Sequence, residues 1–491
     1  MSTITQEITR LQTAKVNLKT SIEAKGVTVS ADATLDQYPA LVDSIPSGGG
    51  GVEVEEKDVN FYDYDGKRLY SYTKDEFLAL TEMPANPNHT DIGLTAQGWN
   101  WSLADAKLHV TELTILSIGQ LVCPTGNKTK IVFNITEPNT TVGGRFYYDS
   151  DDTGSRTCLF DWGDETSDTY TVNWGGSTIW NHTYQNIGEY NLLISCEDSK
   201  VYGLQNDAFD NSTKLLVKGL YLSDVFSFGK YGQAAVNDLL NLEVLTFSKF
   251  ARSYKGQQLD GFGKIKIVII PDSVDSYIFN SVRNCWNLER VCFPVTFTQS
   301  SNNISTLRLF ENVPSLEEII TPYLLTNMGS GGMTDYSTMP QACKKVAISN
   351  LISSISSSSG TPSINFQKLE NCYGMSGLLL VPVVRGCNLV KSLPRFLSAT
   401  TVESLFVENM AQLEELYLGP NITELQSYCI QYCTNLKRLF VLATTPPTLG
   451  TNNFKNCHSD FTIYVPSASV EDYKAAQNWS SFAAKIQAIP E

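Results

Sequence analysis

VENMAQLEELYL (residues 407–418) and, 23 residues further on, IQYCTNLKRLFV (430–441) are two copies of one pattern. An apolar residue is followed three positions later by a cysteine or another modest apolar side chain, and three positions after that by Leu. The Leu opens an apolar-x-apolar alternation. In the first copy these positions are Val407, Met410 and Leu413, leading into Leu416 and Leu418. In the second they are Ile430, Cys433 and Leu436, leading into Leu439 and Val441. A period of two marks a strand, and it places Tyr417 and Phe440 on the side opposite their inward Leu and Val neighbours. One repeat apart, the two rings are expected to stack as an exposed aromatic ladder. A single unit cannot bury its apolar face alone, so stacked units must build the core.

The pattern extends in both directions. Val282/Cys285/Leu288 leads into Val291 and Phe293, while Leu259/Phe262/Ile265 and Phe310/Val313/Leu316 keep the register without cysteine. Anchors fall at 215, 242, 265, 288, 316, 346, 375, 390, 413, 436 and 461, and several of the steps equal 23 residues. That spacing lies in the leucine-rich-repeat range. The 15-residue step from Met375 to Val390 is too short for a turn of solenoid, so one of these two anchors is misplaced. Each unit reads as a strand, a loop and a helical or irregular return. Cysteine at an inner ladder position is a small apolar filler.

The remaining chain divides by composition. Residues 1–51 read as a helical anchor or oligomerisation segment ending in the glycine run 48–51. Ile4, Ile8, Leu11, Leu18 and Ile22 form its a/d stripe, which Lys15 interrupts. Such a short isolated helix is marginal in water, which argues that sister chains or a socket complete it, with a helical hairpin packing on its own chain as the alternative. Residues 52–125 read as a small α+β, aromatic-rich module: DVNFYDYDG (58–66) is a strand and turn, TKDEFLAL (73–80) a helix start. Trp99 and Trp101 are expected in its core, with sugar stacking as the alternative. Residues 126–204 alternate as short strands between Gly, Asp and Asn turns and read as a sandwich. Residues 205–491 carry the repeats and a C-terminal cap. The fold class is therefore multidomain and mainly β, with some α.

Composition narrows the function. Lys+Arg 36 against Asp+Glu 51 gives a net charge of −15, which disfavours nucleic acid. No apolar run reaches membrane-spanning length, and the opening MSTITQEITR lacks the apolar region of a secretory signal. Eleven cysteines, an odd number, suggest no disulfide framework without secretion. No nucleophile elbow, phosphate loop or zinc-protease motif occurs, so no catalytic residue, metal ligand or cofactor is assigned. Asp149, Asp151, Asp152, Asp161 and Asp164 could offer oxygen ligands to calcium, but without EF-hand spacing they read as solvated turn aspartates.

Three stretches carry resemblances. Phe160-Asp161-Trp162-Gly163-Asp164, with Asn181-His182-Thr183-Tyr184 and Gly188-Glu189-Tyr190, resembles the polycystic-kidney-disease-type immunoglobulin-like module; Glu165 stands where that family usually has Gly. Thr445–Leu449, Phe454–Cys457, Ile463–Pro466, Val470–Lys474 and Trp479 resemble the terminal cap of bacterial surface-type leucine-rich repeats, sealed by a helix over about 470–476. Residues 4–45, ahead of the glycine linker, and 58–107 resemble segments of tailed-bacteriophage virion proteins, and the modular order resembles phage head or tail fibres. That resemblance implies a virion-located structural protein, homo-oligomeric and by analogy trimeric. It would be attached through residues 1–51 to other virion proteins and display its repeats to a host glycan or protein, with Tyr417 and Phe440 on the receptor face. A bacterial surface adhesin and a capsule-degrading appendage enzyme are the alternatives.

Overall fold

The computed structural model describes residues 54–490, apart chiefly from 149–153, 197–201, 229–236, 251–256, 274–278, 296–309, 325–341, 349–367 and 375–383 and shorter gaps; before residue 54 it describes only a few positions. Residues 54–124 form one layer. Strands β1 (Val59–Tyr62), β2 (Arg68–Tyr72), β3 (Leu94–Trp99) and β4 (Leu116–Pro124) pair in the order β2-β1-β4-β3. Helices α1 (Lys74–Ala79) and α2 (Leu103–Leu113) pack on the sheet. Thr73 caps α1 reciprocally with Glu76, the box its sequence spells. Trp99 and Trp101 are buried, as expected for core residues, and their indole N–H groups donate to the carbonyls of Pro84 (2.9 Å) and Phe293 (2.7 Å).

Ten further strands build two facing sheets: β5 (Thr129–Ile135), β6 (Thr140–Tyr148), β7 (Ser155–Asp161), β8 (Ser167–Asn173), β9 (Ser177–Tyr184), β10 (Gly188–Cys196), β11 (Tyr202–Leu204), β12 (Val217–Leu222), β13 (Phe226–Phe228) and β14 (Val244–Phe247). One sheet runs β14-β12-β5-β10-β7-β8 and the other β13-β11-β6-β9. Antiparallel β5 pairs with β12, and β12 pairs in parallel with β14, so the sheet passes into the solenoid without a seam. Ile131, Phe133, Phe160, Trp162 and Trp180 share one core cluster with the solenoid's inner residues. The two-sheet region thus caps the first coil, whose edge would otherwise be an unpaired strand.

One corner gathers the residues that carry the sandwich resemblance. His182 stacks on Trp162 (centroids 4.5 Å apart, 10° between planes), and its Nε2 lies 2.7 Å from Asp164 Oδ2. The Tyr184 hydroxyl donates to the Trp162 carbonyl at 3.0 Å. Glu165 sits in the left-handed region at φ 70°, the conformation for which glycine is the usual residue. The cysteine expectation needs correction here. Cys158 and Cys196 stand opposite each other on β7 and β10 and are joined by a disulfide, their Cα atoms 4.3 Å apart. Their spacing in sequence hides a pairing that the antiparallel register creates.

The solenoid is a stack of parallel coils. In the C-terminal half each coil contributes to three short parallel sheets, represented by Glu415–Leu418, Glu424–Leu425 and Ile430–Gln431. Where a helical or irregular return was expected, these coils return through short strands and turns. Leu242, Leu288, Leu316, Val390, Leu413 and Leu436 each donate a backbone N–H to the carbonyl three residues earlier, closing the corner before the strand. Preceding that corner, Asp238, Gly261, Asn284, Asn312, Asn409 and Tyr432 all have positive φ. The turn explains why Asn, Asp and Gly recur there.

Strand register corrects three anchors. Ile319 pairs with Val346 and Val346 with Cys372, so the residues equivalent to Leu316 are Cys343 and Leu369 rather than 346 and 375. Leu220 pairs with Leu245, which moves the first anchor from the exposed Leu215 to the buried Val217. The steps become 25, 23, 23, 28, 27, 26, 21, 23, 23 and 25 residues, and the short step disappears. An apolar strand residue three positions beyond a cysteine had the look of an anchor. At the far end Ile486–Ala488 adds a last parallel strand, helix Val470–Ala475 covers the core, and Tyr473 and Trp479 donate to the carbonyls of Ala443 (2.8 Å) and Pro447 (2.7 Å).

Candidate recognition face of the solenoid

Along each long strand alternate residues point away from the core and line up from coil to coil in two columns. Ile267, Arg290, Glu318, Lys345, Asn371, Glu415 and Arg438 make the first; Ile269, Cys292, Ile320, Ala347, Tyr373, Tyr417, Phe440 and Tyr464 make the second. The two ends of this face differ in fate.

From β12 to strand Asn371–Gly374 the face is covered by residues 54–124. Strand β4 is buried along its whole length, with Tyr62 and Leu121 against Ile267, Ile269 and Cys292. Gly119 makes the approach close, since a Cβ there would overlap the Ile269 side chain. The Asn100 amide lies 3.1 Å from the Cys292 carbonyl and 3.3 Å from that of Ile270, and its Oδ1 accepts from the Gly119 N–H at 2.9 Å. Charge also crosses this junction. Arg290 meets Glu317, Glu318 and Glu56; Lys345 pairs with Glu56; and Ser117 donates to Glu318. Burial raises the Glu318 pKa, and Arg290 opposes it. For Glu56 burial also favours the neutral acid, but Lys345, Arg68 and Arg290 together hold its pKa below the usual carboxylate value.

Over residues 390–488 none of the strands and helices of 54–124 packs extensively on the face among the described residues, and the outward residues there form a column of stacked groups. Tyr417 and Phe440 have centroids 4.3 Å apart and planes 2° from parallel; Phe440 and Tyr464 follow at 5.0 Å and 19°. The Arg395 guanidinium covers the other side of Tyr417 at 4.5 Å. Alongside, Glu415 pairs with Arg438, whose side chain is half exposed, and accepts the Tyr417 hydroxyl at 3.3 Å. A groove of about 360 Å³ opens beside the column between Pro420–Thr423 and Ala443–Pro447.

The predicted ladder therefore exists, but its exposure needs correction. Phe440 is only 8% exposed because Tyr417 and Tyr464 occupy both of its faces. Rings spaced one coil apart consume each other's faces, which leaves edges, tyrosine hydroxyls and the flanking charges outward. Reading two repeats missed Arg395 and Tyr464. Tyr464 follows from carrying the same alternation into Ile463-Tyr464-Val465, whereas Arg395 lies in an irregular coil with no alternation to read.

Other sequence candidates fall elsewhere. Ile4, Ile8, Leu11 and Ile22 lie outside the described residues; Leu18 is helical and 40% exposed. Asp149, Asp151 and Asp152 also lie outside them. Asp161 accepts the Gly163 N–H at 3.2 Å, and Asp164 is engaged by Thr166 and His182. Burial works against the Asp164 charge, yet these bonds hold its pKa below the usual carboxylate value. Among the described residues no group of three or more His, Cys, Asp and Glu side chains is placed to hold a metal ion, and no helix is long and apolar enough to cross a membrane.

Parallel coils with Leu-anchored corners, an inner apolar ladder and capped ends define a leucine-rich-repeat β-solenoid. The chain belongs to the family of BspA-type leucine-rich repeat regions, six copies of which match over residues 178–309, 206–339 and 385–477, just over half of its length. The first match begins within β9, inside the two-sheet region that is continuous with the coils. No curated protein matches the chain.

Proposed function

We propose that this is a non-enzymatic structural protein of a tailed-bacteriophage virion, a fibre or appendage whose solenoid meets a glycan or protein of the host surface. The observation that carries the reading is the contrast along the outward face. It is covered by residues 54–124 as far as Asn371–Gly374 and lacks that extensive cover where Arg395, Tyr417 and Tyr464 stand in line with Arg438 alongside. With ring faces occupied, contact runs through ring edges, hydroxyls and charges, which suits polar groups better than sugar faces. The Trp162-Gly163-Asp164 corner, with His182 and Tyr184, supports the immunoglobulin-like reading of 126–204 as a spacer. Residues 1–51 are read as the attachment to other virion proteins and as the oligomerising segment, with a trimer favoured.

A bacterial surface adhesin is the second reading, favoured by the repeats themselves, since BspA-type repeats are typical of bacterial surface proteins. Mass spectrometry of purified particles separates the two: presence at stoichiometric level supports the virion protein, and absence overturns it. Release of reducing sugar from host capsule by the purified chain would replace both with an enzyme. Attachment itself is tested by cell binding of Arg395→Ala and Arg438→Glu, whose side chains are exposed; binding equal to the unaltered chain removes this face.

A further inference from the structure

Cysteines recur at the inner position three residues before the corner anchor, where Cys285, Cys387 and Cys433 are all fully buried. Among the described residues, one pair occupies this position in adjacent coils. Gln431 bridges Lys455 in parallel register, and the Tyr432 N–H donates to the Lys455 carbonyl at 2.8 Å. Cys433 and Cys457 each stand two residues further along, on the same side of their chains, after the left-handed residues Tyr432 and Asn456. Equivalent Cα atoms of neighbouring parallel strands lie about 4.8 Å apart, inside the span a disulfide bridges. The two thiols are near enough for each to shift the other's acidity, and Cys457 is partly exposed whereas Cys433 is not.

We propose that Cys433 and Cys457 are an oxidisable pair that forms a second disulfide, tying the last full coil to the segment beneath the C-terminal cap. The oxidant is a small external disulfide such as glutathione disulfide. The Cys457 thiolate attacks one of its sulfurs, forming a mixed disulfide and releasing one glutathione thiolate. Cys433 then loses its proton to solvent and attacks the Cys457 sulfur, expelling the second glutathione thiolate. Two protein thiols and one glutathione disulfide become one protein disulfide and two glutathiones. The order of attack follows access and acidity. The neighbouring Cys433 thiol holds the Cys457 thiol below its ordinary pKa, while the Cys457 thiol and burial push Cys433 up. An end coil is where a stacked array frays first, so a link there resists opening of the cap.

The test uses the full chain, reduced, then incubated with excess glutathione disulfide, unfolded in alkylating reagent and digested. The expected product is one linked peptide pair containing residues 433 and 457, with Cys285, Cys343 and Cys387 alkylated. In Cys433→Ser the glutathione remains on Cys457; in Cys457→Ser, Cys433 is recovered alkylated. Oxidation raises the thermal midpoint of Cys158→Ser/Cys196→Ser, which retains the proposed pair, and leaves unmoved that of the same chain carrying Cys457→Ser in addition. Recovery of Cys433 and Cys457 as separate alkylated peptides overturns the proposal, whatever the state of Cys158 and Cys196. A stable glutathione adduct on Cys457 of the unaltered chain overturns it equally.

Discussion

Tyr417 and Phe440 lie face to face one coil apart, 2° from parallel, and Phe440 has Tyr464 on its other side. A ring enclosed in this way belongs to the packing of the coils as much as to their surface. Phe440→Ser should therefore lower stability by about 3 kcal/mol, the range for deleting a buried ring. Arg438→Ala, which loses a half-exposed ion pair, should change it by less than about 1 kcal/mol. Urea unfolding of the two variants checks the contrast; equal effects would mean that the stack carries no packing energy.

The junction of Gly119 with Ile269 gives a second prediction. Gly119→Ala places a methyl group into the Ile269 side chain and should cost about 1–3 kcal/mol as an overpacked contact. Residues 54–124 should then be cut by protease faster than the coils of 385–490. Uniform digestion of both regions would show that the layer does not lift separately.

His109 supplies the pH dependence. It is wholly buried, its Nε2 bonded to the Ile115 carbonyl at 3.1 Å, and burial pushes its pKa down to about 4. The unfolded chain binds a proton near pH 6.5, so between these values the unfolded state holds more protons than the folded one. The stability from keeping His109 neutral is complete above about pH 6.5 and is lost as pH falls towards 4, by roughly 3 kcal/mol in all. His109→Gln should flatten this part of the stability–pH curve; a curve of unchanged slope would assign the acid sensitivity to the carboxylates.

Left-handed positions held by side chains are sites for gain. Glu165 and Tyr432 have φ of 70° and 57°, where neighbouring coils place Asn or Gly at the position of Tyr432. Glu165→Gly and Tyr432→Asn should each stabilise by about 1 kcal/mol through relief of backbone strain. Thermal midpoints of the single and double variants measure it, and the two gains should add because the sites are remote.

The sequence by itself determined the coil. Val407/Met410/Leu413 and Ile430/Cys433/Leu436 state its period and inward side, and Asn284, Asn312 and Asn409 mark the tight corner, because these are local requirements of burial alternation and positive φ. It also placed the C-terminal cap and the strand character of 126–204. Tertiary structure alone decided what depends on register between distant strands. Cys343 and Leu369 became anchors, Cys158 met Cys196, and β5 joined β12. It also decided that Gly119 and Asn100 press a separate layer onto half of the outward face, and that one aromatic ring closes the faces of the next. A period tells which side a residue takes; only packing between segments far apart in the chain decides whether that side meets water.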